Sequence, residues 1–221
     1  MDKILRDLFS FQDIEYKNFN AKLIPTVDKD LIIGVRTPDL RNYAKKLFKE
    51  DEKRSFQFLN NLPHKYYEEN NLHGCLIEQI KDFDLAMEYT EKFIPFIDNW
   101  ATCDLFSPKV FKRYPNETYK YILDWIKYEK TYVIRYGVGL LLSNYLDENF
   151  KEEHLKNVSK IKSEEYYVNM MIAWYLATAL AKQYEATLPL IQSQTLSPFV
   201  QNKTIQKARE SRRITQEVKV F

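Results

Sequence analysis

Trp100 and Asp104 stand four residues apart in the segment Phe96-Ile-Asp-Asn-Trp-Ala-Thr-Cys-Asp-Leu-Phe106. On a helix that spacing puts both on one face, one turn apart. A flat aromatic surface beside a carboxylate suits a cationic ring next to a bond whose breaking develops positive charge. For such a pair taken alone, a core tryptophan beside a surface aspartate is the commoner arrangement. Asp98, just ahead of this helix, reads as its cap.

Two later segments hold residues of the same kind. Arg135 is the single charge in Tyr132-Val-Ile-Arg-Tyr-Gly-Val-Gly-Leu-Leu-Leu142. It must be paired or face a cleft, because an isolated buried charge is costly. Trp174, in Tyr166-Tyr-Val-Asn-Met-Met-Ile-Ala-Trp-Tyr-Leu-Ala177, either lines a cleft or fills a core. Two stretches are basic. Residues 202–213 carry Lys203, Lys207, Arg209, Arg212 and Arg213 against Glu210, and Arg36, Arg41, Lys45 and Lys46 form a second patch. Either stretch suits phosphate contacts or a solvated helix face. Other chemistries find no footing. His64, His73 and His154 show no metal-ligand spacing with Cys75 or Cys103, and no Walker loop or dinucleotide fingerprint is present. Cys103 reads as a small buried residue. No metal or cofactor is expected.

The elements that must position these residues are helices. Thr37-Pro38-Asp39 is a helix start, with Thr37 as N-cap, Pro38 in the first turn and Asp39 at the positive end. Leu40, Tyr43, Ala44, Leu47 and Phe48 then form one apolar stripe. Similar patterns predict helices over roughly 2–9, 12–24, 53–61, 66–81, 83–97, 101–113, 115–128, 131–147, 150–160, 164–183, 185–193 and 198–212. Breaks are expected at or near Pro25, Pro63, Pro108, Pro115, Pro189 and Pro198. Pro108 falls inside a predicted helix, which it should kink or split. Leu31-Ile-Ile-Gly-Val35 is the one strand candidate and is expected to pack as a loop. Short helices with shorter connections predict an all-α fold. Degenerate antiparallel pairs stacked into an α-solenoid with a concave face are one form; a compact irregular bundle is the other. No interdomain linker is visible, so 1–221 reads as one domain.

Composition agrees. Only 4 glycines stand against 16 tyrosines and 14 phenylalanines, which disfavours a sheet-and-turn protein. The 33 basic and 31 acidic side chains leave a net charge of +2, which excludes a generally polycationic chain but not a basic face backed by an acidic one. The two cysteines make no disulfide framework and the start is too charged for a signal peptide; the expected location is cytoplasmic. The charge-free run 166–181 is short for a membrane span and holds Asn169 and Thr178.

Four blocks in order carry a resemblance: Gly34-Val-Arg-Thr-Pro-Asp-Leu-Arg41, Asp98-Asn-Trp-Ala-Thr-Cys-Asp104, Tyr132-Val-Ile-Arg135 and the segment ending at Trp174. Together they resemble the bacterial DNA alkylation repair proteins, the HEAT-like-repeat alkylpurine DNA glycosylases, over nearly the whole chain. The resemblance implies a C-shaped α-solenoid with duplex DNA on a basic concave cleft. It implies excision of purines alkylated at N3 or N7, with no cofactor and no membrane; a monomer is expected. It puts Asp104 at the catalytic aspartate, Trp100 and Trp174 at the aromatic contacts to lesion and sugar, and Arg135 at an arginine near that site. In the best-known members the damaged base stays stacked, unlike the extruded base of most glycosylases. Two departures stand out. Ala177 occupies the place, one turn after Trp174, where active members often carry arginine. An N-terminal tyrosine near the DNA has no clear equivalent before Gly34. The alternatives are a non-catalytic solenoid binding damaged or branched DNA and a scaffold for a protein partner.

Overall fold

The computed structural model describes residues 3–211. Among these there is no strand, and the fold is all-α, as expected from the helical periodicity. The chain divides between Tyr114 and Pro115 into two compact units. Unit 1 holds α1 (Lys3–Ser10), α2 (Ile14–Leu23), α3 (Thr37–Glu50), α4 (Glu52–Leu59), α5 (Tyr67–Ile77), α6 (Phe83–Phe93), α7 (Trp100–Leu105) and α8 (Lys109–Arg113). Unit 2 holds α9 (Pro115–Trp125), α10 (Thr131–Asn144), α11 (Glu152–Ser159), α12 (Tyr166–Lys182), α13 (Tyr184–Gln192) and α14 (Pro198–Glu210).

Each unit is built around one central helix, α5 in unit 1 and α12 in unit 2. In unit 1, α5 packs between α3 and α7, while α4 lies against α3 and α5, and α6 against α5. In unit 2, α12 packs between α10 and α14, with α9 against α10, and α11 and α13 against α12. In α3 the stripe Leu40, Ala44 and Leu47 is buried, while Lys45, Lys46 and Lys49 are exposed. α12 is apolar on nearly every side and correspondingly buried, from Val168 to Leu180. No helix among the described residues is long and apolar enough to cross a membrane.

Several boundaries differ from expectation, each for a local reason. The predicted 101–113 helix is split into α7 and α8, because Pro108 cannot donate to the preceding turn and stands extended ahead of α8. Thr37 is the first helical residue of α3 and not its cap; the flanking residue is Arg36, which makes no side-chain cap bond. Pro189 does not break the chain but lies inside α13, where Thr187 and Ile191 on either side are buried. That helix ends at Gln192, with Ser193 as its C-cap, ahead of Gln194 with φ 53°.

The segment after the 3-10 turn Lys29–Leu31 is a loop, as expected, but the way it is held is not legible locally. Glu68, on α5, is fully buried beneath it. Its Oε2 accepts the N–H of Ile33 at 2.7 Å, and its Oε1 accepts those of Gly34 at 2.7 Å and Val35 at 3.2 Å. Burial pushes this carboxyl upward from its ordinary range, and the three N–H bonds oppose the push. Gly34 has φ +101°, and a Cβ there would lie 2.4 Å from the Asp13 carbonyl oxygen, so the turn admits glycine only.

Candidate active site

α7 is six residues long and starts at Trp100. A helix of that length is not stable alone, so its neighbours must fix it. Its cap is Asn99, not Asp98. Asn99 Oδ1 accepts the Thr102 N–H at 2.8 Å, and Asp98 Oδ1 instead accepts from Asn99 Nδ2 at 2.8 Å. Asn99 Nδ2 also donates to Thr102 Oγ1 at 3.0 Å, which donates to Asn71 Oδ1 on α5 at 2.7 Å. All three side chains are buried, and such a network is strong when its members are paired. The Trp100 Nε1–H donates to the Leu23 carbonyl at 3.0 Å, and its ring packs on the cluster of Ile24, Val27, Ile32 and Tyr67.

The far end of α7 is also tied. Arg41 Nη2 donates to the Leu105 carbonyl at 2.5 Å, and Arg41 pairs with Glu78. Glu78 Oε1 accepts the Ser107 N–H at 2.9 Å. Between these ties, Asp104 is exposed on the same face as the half-buried Trp100. Trp100 and Asp104 thus lie one turn apart on a helix pinned at both ends.

Unit 2 contains the other two residues. Arg135 is 6% exposed on α10, and its Nη1 donates to the Tyr167 carbonyl of α12 at 2.8 Å. Trp174 is 44% exposed, so it is not a core tryptophan. It lines a cavity of about 420 Å³ with Ala177, Thr178, Lys207 and Glu210. Ala177 is 5% exposed and packs with Leu180 and Ala208, which brings α14 over this position. Position 177 is therefore packed against α14 at the edge of the cavity that Trp174 lines.

The basic residues differ in their state. Arg36 pairs with Asp13 at 2.7 Å and lies 5.0 Å from the Tyr16 ring centroid. The Tyr16 N–H and Arg36 together hold the Asp13 carboxyl below its ordinary range. Arg41 is committed inside unit 1, as described. Lys45 and Arg209 are exposed, Lys207 borders the Trp174 cavity, and Lys203 Nζ donates to Gln206 Oε1 at 2.8 Å. Arg212 and Arg213 lie outside the described residues. Cys75 and Cys103 are buried free thiols, and burial pushes Cys75 up to about 12, which removes it as a nucleophile.

Sequence reasoning missed the residues that hold α7. Asn99 was available to it, since the cap is the polar residue immediately before the first helical one. Asn71, Glu78 and Glu68 had no local signal. The family model described as DNA alkylation repair enzyme matches residues 4–213 of this chain. No curated protein matches it.

Proposed function

This chain belongs to the DNA alkylation repair enzyme family, and from that premise we propose that it is a glycosylase hydrolysing the N-glycosidic bond of cationic N3- or N7-alkylated purines in duplex DNA. The observation that carries the reading is the exposed Asp104 beside Trp100 on a helix fixed at both ends. Alkylation at N3 or N7 makes the purine cationic and already a good leaving group. No general acid is then required. The protein has to stabilise an oxocarbenium-like deoxyribose and position a water. Asp104 does the first through its charge and the second as general base. The indole face of Trp100 attracts the cationic base and the positive sugar edge, and the exposed indole of Trp174, in unit 2, offers a contact of the same kind. Backbone phosphates are met by the basic residues, Lys45, Lys207 and Arg209 among them.

The test is release of free base from duplex DNA carrying N7-methylguanine or N3-methyladenine. Asp104→Asn is expected to keep the fold and most DNA binding while excision falls roughly a hundredfold or more, the scale of one preorganised electrostatic group. Equal excision by both proteins removes Asp104 from the mechanism. A second reading, DNA binding without excision, is favoured by one observation: Ala177, closed beneath α14, offers no phosphate or sugar contact. Duplex binding with no base released from either lesion selects it.

A further inference from the structure

A cavity of about 410 Å³ opens in unit 1 where α3, the end of α5 and the segment after α7 meet. Five cations line it, Arg41, Lys45, Lys81, Lys109 and Arg113, against a single carboxylate, Glu78. That carboxylate is already used, by Arg41 on one side and the Ser107 N–H on the other. The remaining four cations are exposed, and none forms an ion pair with another described residue. By contrast, the larger cavity bordered by α1, α3 and α4 sets four carboxylates against three cations. Like charges gathered around one concavity repel one another, and a concave wall of one sign concentrates counter-ions. A multiply charged anion relieves that repulsion, and the cavity is large enough for more than one phosphate group.

We propose that this cavity is a phosphate-binding site, and that in the glycosylase reading, on which this assignment of the ligand rests, it seats backbone phosphates of the duplex. Its place gives it a second consequence. Arg41 reaches from the cavity wall to the carbonyl of Leu105, the residue after Asp104. The site that holds the phosphates is therefore built on the same arginine that fixes the end of α7. Of the residues involved, Lys81, Lys109 and Arg113 bring charge alone, with no part in the Arg41–Glu78 tie.

The test uses the full chain and the triple variant Lys81→Gln/Lys109→Gln/Arg113→Gln. A second triple variant, Lys127→Gln/Lys160→Gln/Lys162→Gln, removes as many charges from unit 2. Anisotropy of a labelled duplex over a salt series gives affinity and its salt slope; calorimetry with pyrophosphate gives binding of a soluble polyphosphate. The first variant is expected to melt like the parent, to bind duplex about tenfold more weakly or worse, and to show a slope shallower by about 2 to 3. The second variant is expected to bind as the parent does. Unchanged affinity in the first variant, or equal loss in both, overturns the site. If the parent excises base normally in that case, the glycosylase reading survives alone. If the parent releases no base, but binds duplex and the first variant loses it, the site stands and the glycosylase reading falls. Binding of pyrophosphate without duplex, lost in the first variant, leaves a phosphate site and removes DNA as its ligand. A parent that binds neither ligand overturns the proposal entirely.

Discussion

α7 of unit 1 and α12 of unit 2 each present one tryptophan, and they hold it by opposite means. α7 is six residues long and is fixed by polar side chains: Asn99 and Thr102 at its start, Arg41 and Glu78 at its end, the Trp100 N–H on Leu23. α12 is 17 residues long and is fixed by apolar burial between α10 and α14, with Trp174 left at the surface. Polar pins are directional and set position residue by residue, but each fails outright when one partner is lost. Apolar packing is non-directional and fails through volume, by cavity or by crowding. The two halves should therefore break under different substitutions.

The largest effect is expected in unit 1 from Glu68→Ala. Three buried N–H donors at Ile33, Gly34 and Val35 lose their acceptor, at about 1–3 kcal/mol each, so the sum is on the order of 4 kcal/mol or more. Urea unfolding measures it; a loss below about 1 kcal/mol would show that the loop does not depend on this carboxylate.

Next comes acid. His64 Nε2 and His73 Nδ1 are 2.8 Å apart in unit 1, stacked on Phe58 and Phe93. Burial lowers His64 to about 4 and His73 well below its ordinary 6.5. Both folded values lie below the unfolded one, so the folded state takes up fewer protons. The associated stability is present above about 6.5 and is lost as pH falls toward about 4, with His64 alone accounting for about 3 kcal/mol. Glu68 is shifted upward and works in the opposite direction. Comparing the parent with His64→Gln/His73→Leu isolates the histidines: the double variant should show a flatter decline across that window. Identical pH profiles would mean that the pair does not titrate with folding.

In unit 2 the corresponding break is steric. Ala177→Arg forces a long side chain between α12 and α14, where Ala208 is fully buried, and should cost about 1–3 kcal/mol. A variant that melts with the parent and binds DNA more tightly would show that α14 yields, and that position 177 belongs to an open surface. A comparable or smaller effect on stability is expected from Asn99→Ala, about 1–2 kcal/mol for a lost cap and a lost buried partner of Thr102. Its effect on excision should exceed its effect on melting, since the cap orients α7 more than it holds the unit together. Equal and small effects on both would make the pinning incidental.

The helices themselves were legible because apolar residues recur at helical spacing, and burial selects that face. Trp100 and Asp104 were legible as a pair for the same reason, four residues on one helix. What escaped was every partner distant in sequence. Glu68 lies in Tyr-Glu-Glu-Asn-Asn, which reads as a solvated helix start, and its three donors lie more than thirty residues earlier. Arg41 reads as a free cation of a basic patch until Glu78 and Leu105 are brought to it. Ala177 is a helical-turn neighbour of Trp174 in either reading; only α14 decides that it is covered. Local periodicity carries none of these relations, because they come from how helices meet.

The three tryptophans differ in their contact with water: Trp125 is buried, Trp100 is half-buried with its N–H committed, and Trp174 is 44% exposed. Indole emission moves to longer wavelength as its surroundings become polar. The red edge of the native spectrum thus belongs chiefly to one residue of unit 2, and a soluble quencher reaches that residue first. A flat ligand laid over Trp174 takes away the same part of the light, so the protein carries an unlabelled optical gauge of whether that surface is occupied.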